Sequence, residues 1–126
     1  MITEDYVSFE TAKLLKKRGF GEKCTHYYKN EKYLVDLGYS NIHSYANSDL
    51  IDEFSAPTLQ MAMKWLREVH KMYIEVCTDR AYYLKDIVFR PAIYDKDLDC
   101  VWESDNFSTY EEACEAAIKY CMGNLI

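Results

Sequence analysis

The chain is poor in the residues that interrupt regular structure. Its 126 residues include two Pro and four Gly. That scarcity excludes a Pro- or Gly-rich linker protein and a collagen-like or low-complexity tract. Long apolar runs are also missing, so no segment reads as a membrane-spanning helix. The first residues, Met1-Ile2-Thr3-Glu4-Asp5, are acidic where a signal peptide is basic. A cytoplasmic protein is expected. There is no C-x-x-C pair, and the five Cys (Cys24, Cys77, Cys100, Cys114, Cys121) are odd in number. This argues against a disulfide framework or a zinc ribbon. The thiols are read as small buried hydrophobes. No P-loop, G-x-G-x-x-G or G-x-S-x-G motif occurs. An enzyme is therefore the least supported class. No catalytic residue, cofactor or metal is assigned.

Apolar and aromatic side chains are abundant. Hydrophobic residues make up 49% of the chain, and twelve are Tyr. At this length that suffices for a core without staples, and one α+β domain over residues 1–126 is expected. Ser8 is a good N-cap and Gly19 a good residue just past a helix end, with Thr11, Ala12, Leu14 and Leu15 on the apolar side between them. Cys24–Lys29 and Tyr33–Leu37 read as a β-hairpin. Gly38–Asp49 has no clear period and is long for a connection. It is either a functional loop or an irregular strand.

Pro57 suits the first turn of a second helix, in which Leu59, Ala62, Met63, Leu66 and Val69 recur at helical spacing. Met61 and Trp65 lie together on its shoulder, as an extension of the core or as a contact surface. Tyr73–Cys77 reads as a strand and Thr78-Asp79-Arg80 as a turn. Ala81–Phe89 follows as a strand that Pro91 ends or places at an edge. Leu98–Glu103 reads as a further strand. Ser108-Thr109-Tyr110-Glu111 matches a capping box, so a last helix starts there with Ala113, Cys114, Ala117, Ile118 and Cys121 inward. The expected order is α-β-β-α-β-β-β-α, an antiparallel sheet with helices packed on one face.

Three stretches carry a resemblance. They are Val7-Ser8-Phe9-Glu10-Thr11-Ala12-Lys13-Leu14-Leu15, Ala56–His70 around Met61-Ala62-Met63-Lys64-Trp65, and Tyr110–Cys121. Together they resemble a family of small phage- or mobile-element-type proteins from gut Bacteroidales genomes. The resemblance implies a mobile-element association and supplies no catalytic residue. From residue 57 onward the α-β-β-β-α order is also that of a double-stranded-RNA-binding domain. Glu111 and Glu112 stand where such a domain presents basic groups to phosphate.

Asp95, Asp97 and Asp99 form a D-x-D-x-D run. A calcium-binding EF-hand loop would need Gly and Glu where Cys100 and Asn106 stand, so the run is read as a solvated strand face. His26, His43 and His70 have no partner at metal-ligand spacing. The net charge of −6 is uneven. Residues 96–126 hold seven acidic and two basic groups, while Lys13/Lys16/Lys17 and Lys64/Arg67/Lys71 make two basic helix faces.

The function expected from these features is protein–protein interaction by a non-enzymatic accessory protein. Its candidate surface comprises Tyr39, Tyr45, Met61, Trp65, Lys64 and Arg67. The alternatives are nucleic-acid binding by the basic faces, or an acidic mimic of nucleic acid. A protein partner ranks above nucleic acid, self-association is left open, and no membrane contact is expected.

Overall fold

Ser8 opens the first helix, α1 (Phe9–Lys17), as its spacing predicts: its Oγ accepts the Thr11 N–H at 3.2 Å. The helix closes at Gly19, whose φ of +91° only glycine adopts without strain. There Gly19 N–H reaches the Lys16 carbonyl and Phe20 N–H the Leu15 carbonyl, a paired closure that seats Phe20 in the interior. This computed structural model describes residues 2–31, 33–36, 45–81 and 86–126. The described chain falls into two compact units, Met1–Ala62 and Met63–Ile126.

In the first unit, β1 (His26–Asn30) and β2 (Tyr33–Asp36) form the expected antiparallel hairpin, with Tyr27 opposite Val35 and Tyr28 opposite Leu34. A third strand, β3 (Phe54–Ser55), joins the other side of β1 and gives the order β2-β1-β3. Two residues are too short to leave a period in the sequence. Helix α1 packs on β3 and β1. Its Phe9 ring meets Tyr28 and Phe54 edge-on at 5.7 and 5.6 Å. The Tyr28 hydroxyl donates to the Val7 carbonyl at 2.7 Å, so one ring of the Tyr27/Tyr28 pair is tied inward. Of the Gly38–Asp49 segment, Tyr45–Asp49 is described, and Asn47–Asp49 makes a single 3₁₀ turn. Tyr39 and His43 lie outside the described residues, as do Tyr82 and Tyr83.

Helix α2 (Leu59–His70) starts two residues after Pro57, which therefore lies outside its first turn. Thr58 Oγ1 accepts the Met61 N–H at 3.1 Å and so takes the capping role, leaving Pro57 just before the helix. Leu59, Ala62, Met63 and Leu66 are buried as expected, but Val69 is 57% exposed in the last turn. The shoulder pair divides: Trp65 is buried at 6% exposure and Met61 is 42% exposed.

The second unit is a three-stranded antiparallel sheet, β4-β5-β6, with β4 at Tyr73–Arg80, β5 at Ile87–Tyr94 and β6 at Cys100–Glu103. Thr78-Asp79-Arg80 is strand and not turn, because all three pair with Phe89, Val88 and Ile87. Pro91 lies in the middle of the central strand and not at an end or edge, a correction with a geometric cause. In an antiparallel sheet the N–H and C=O of one residue point to the same neighbour. Pro91 C=O accepts the Ser104 N–H at 3.1 Å on the β6 side, so the missing prolyl N–H takes nothing from the ladder to β4.

Helix α3 (Tyr110–Asn124) packs on β5 and β4. Its cap is Thr109, not Ser108: Thr109 Oγ1 accepts the Glu112 N–H at 3.1 Å, and Ser108 Oγ donates to Glu112 Oε1. The capping-box pattern sits one residue further along than the sequence reading placed it. Ala113, Cys114, Ala117, Ile118 and Cys121 are buried as expected, joined by Met122. Trp102 of β6 stacks on Tyr120 at 4.7 Å. The chain is thus an α+β protein built on antiparallel sheets, with its strands divided between two three-stranded sheets. Among the described residues, no helix is long and apolar enough to cross a membrane.

Candidate functional site

A small apolar depression of about 200 Å³ opens in the first unit, lined by Tyr6, Cys24, Ala56, Pro57 and Met61 with Lys23, Thr25 and Thr58 at its polar side. Three backbone features build it. Residue 6 bridges residue 58, with Val7 N–H on the Pro57 carbonyl and Leu59 N–H on the Asp5 carbonyl. Thr58 then starts α2 and projects Met61. On the far side, Cys24 exchanges both main-chain hydrogen bonds with Tyr45, at 2.8 and 3.0 Å. Tyr45, 41% exposed, therefore flanks the strand segment that lines the depression. Two of the expected surface residues, Met61 and Tyr45, are brought to one region of the first unit.

Tyr6 carries this region toward a polar cluster. Its ring lies on His26 with centroids 4.0 Å apart. Thr25 Oγ1 is 3.0 Å from His26 Nδ1, and Asp36 Oδ2 is 3.7 Å from His26 Nε2. Burial, then Asp36 and Glu4, push the Tyr6 hydroxyl up. Cys24 is the thiol in the lining. Burial pushes it up to about 11, with Glu22 adding and Ser55 opposing. A thiol that keeps its proton is a poor nucleophile near neutrality. Cys114 and Cys121 are likewise buried and raised to about 11, while Cys77 and Cys100 are exposed. The sequence reading of all five as buried holds for three.

The basic faces are partly occupied. Lys16 Nζ donates to the carbonyls of Leu50, Ile51 and Glu53 at 3.1, 3.1 and 2.8 Å and lies 5.2 Å over the Phe54 ring. It serves as a half-buried cation that gathers the segment before β3. Lys13 lies over Phe9, and Lys17 is exposed. On α2, Lys64 and Arg67 are exposed, and Lys71 Nζ donates to the Glu68 carbonyl. Trp65 is inside, so it presents no surface beside them. His70 ends α2 with its ring edge-on to Trp65 at 4.6 Å.

In the second unit the acidic run is a loop and not a strand face. Asp95 N–H bonds the Asp99 carbonyl, and Leu98 takes φ +63°. This is a three-residue hairpin turn closed by a left-handed residue. Asp95 Oδ1 accepts the N–H of both Asp97 and Asp99, and one carboxylate oxygen from each Asp lies within 4.8 Å of the others. A wider polar basin of about 530 Å³ is lined by Arg90, Glu103, Ser104, Asp105 and Asn106. Its Arg90 is held by Asp79 at 3.1 Å and by Asn106 at 2.7 Å. The sequence offered no sign of the Arg90 contacts, since they depend on pairing across strands.

No family model, no curated protein and no solved structure matches this chain.

Proposed function

We propose that this chain is a non-enzymatic accessory protein that works by binding another protein, of the kind carried by phages and mobile elements. The mobile-element part of the reading rests on the sequence resemblance. The interaction part rests chiefly on the depression beside Met61. Its volume of about 200 Å³ falls below the range of roughly 300–1,000 Å³ common for small-molecule sites. It suits a single apolar side chain of a partner. Exposed Met61 gives it an adaptable wall, and Tyr45 gives an amphipathic ring nearby. Nucleic-acid binding has less support, because Lys16 is engaged by three carbonyls and the first turn of α3 exposes Glu111 and Glu112.

Affinity capture with the tagged full chain tests this reading. A partner held by the wild type should be lost with Met61→Glu and weakened with Tyr45→Ser. Capture unaffected by both changes counts against the depression as the contact.

A further inference from the structure

Strand β4 is the longest open edge among the described residues: eight residues long and paired to β5 alone. The Pro91 geometry fixes which of its main-chain groups are used. Phe89 exchanges both bonds with Phe107, and Pro91 accepts from Ser104, so alternate residues of β5 address the β6 side. The intervening Val88, Arg90, Ala92 and Tyr94 address β4, where they meet Asp79, Cys77, Glu75 and Tyr73. Ile74, Val76, Thr78 and Arg80 therefore direct their N–H and C=O groups away from the sheet. One donor is already served, since Arg80 N–H donates to Asp79 Oδ1 at 2.7 Å. Among the described residues, the outward groups of Ile74, Val76 and Thr78 remain as an unpaired ladder. Such an edge is a ready template for an added strand.

The side chains beside the edge decide what fits. Ile74 and Val76, opposite Ile93 and Pro91, are half-buried. On the other face Glu75, Cys77 and Asp79 are exposed. Asp79 is held by Arg90, whereas Glu75 has no ion-pair partner among the described residues. Across the sheet the row runs Glu75, Ala92, Glu103, two carboxylates with no cation between them. Tyr94 sits beside this row, and burial followed by Cys100, Glu75, Cys77 and Glu103 pushes its hydroxyl up. A second copy is a poor occupant. Antiparallel self-pairing centred on Glu75 sets it against Glu75 of the other copy, and centring on Cys77 sets it against Asp79. Centring on Val76 brings Cys77 to Glu75 and no cation.

We infer that the outer edge of β4 takes up an extended, lysine- or arginine-bearing segment of a partner protein as an added strand. The segment bonds to Ile74, Val76 and Thr78 and sets a cation beside Glu75. The inference rests on the interaction reading but names a different surface, so the two fail separately.

The probe is a synthetic peptide of alternating lysine and threonine added to the full chain, with a glutamate–threonine peptide as control. Hydrogen exchange should slow at the amides of Ile74, Val76 and Thr78 with the lysine peptide only. Glu75→Lys should weaken binding about tenfold, close to what a lost charge-assisted contact gives. Val76→Pro removes an outward donor without taking a bond from β5, and should weaken binding similarly. Met61→Glu should leave it unchanged. No protection at these amides at millimolar peptide, or equal binding of the glutamate peptide, overturns the proposal. So does protection that rises with protein concentration alone, which would indicate self-pairing. If a captured partner survives Glu75→Lys and Val76→Pro but not Met61→Glu, the edge assignment fails and the interaction reading stands.

Discussion

The two three-stranded sheets are held by different means. The first, β2-β1-β3, has strands of four, five and two residues, and its connections are fastened by side chains reaching the backbone. Lys16 gathers three carbonyls, and the Tyr28 hydroxyl takes a fourth. Buried Asn47 bridges the Phe20 carbonyl and the Ser55 N–H at 3.0 and 2.8 Å. The second, β4-β5-β6, has an eight-residue ladder and a fifteen-residue helix packed on it. There a regular hydrogen-bond ladder and a small-residue helix face do what single polar side chains do in the first. A short-stranded sheet leaves many main-chain groups unpaired, and those groups must find partners one by one.

Substitutions can break that contrast. The largest effect is expected from Ile93→Ala, since Ile93 is fully buried on the central strand. It should destabilise the second unit by about 3 kcal/mol, measured by denaturant unfolding. In the first unit no apolar truncation is needed. Lys16→Met and Asn47→Ala should each cost about 2 kcal/mol, through carbonyls and a buried N–H left unpaired. If both polar changes cost only a few tenths of a kcal/mol, single polar side chains do not hold the connections of the first sheet. Leu98→Gly should act in the opposite direction and stabilise by up to about 1 kcal/mol, by relieving a left-handed leucine at the β5–β6 turn.

The smallest effect is a slope. Burial raises Cys24, Cys114 and Cys121 from 9.0 to about 11. A folded thiol that holds its proton longer than an unfolded one contributes fully below pH 9. That contribution is lost as pH rises through about 11. The second unit has two such thiols and the first has one. Replacing Cys114 and Cys121 by Ala should therefore flatten the alkaline fall in melting temperature about twice as much as Cys24→Ala.

Much of this architecture was legible in the chain. The α1 caps at Ser8 and Gly19, the hairpin and the inward face of α3 all depend on neighbours a few residues apart. The misses depend on distant partners. Thr78–Arg80 resembles a turn by composition and becomes strand because β5 offers eight residues to pair with. Pro91 looks like a terminator until the direction of its carbonyl is known. Trp65 and Met61, four residues apart on one helix, end with opposite exposures because the boundary of the interior passes between them. The depression could not be read from residue types, since it joins residues 6, 24 and 61 through main-chain bridges.

Pro91 also bears on hairpins that form wrongly. A slip of one residue between β4 and β5 would turn the prolyl nitrogen toward β4, where an acceptor would go unanswered. The same slip would carry Ile93 from the α3 side to the exposed side. A slip of two residues would restore both but separate Asp79 from Arg90. Each misregistered hairpin thus carries its own penalty from a different residue. A proline in mid-sheet, at first sight a weakness, serves as a proofreading mark for the eight-residue pairing of β4 with β5.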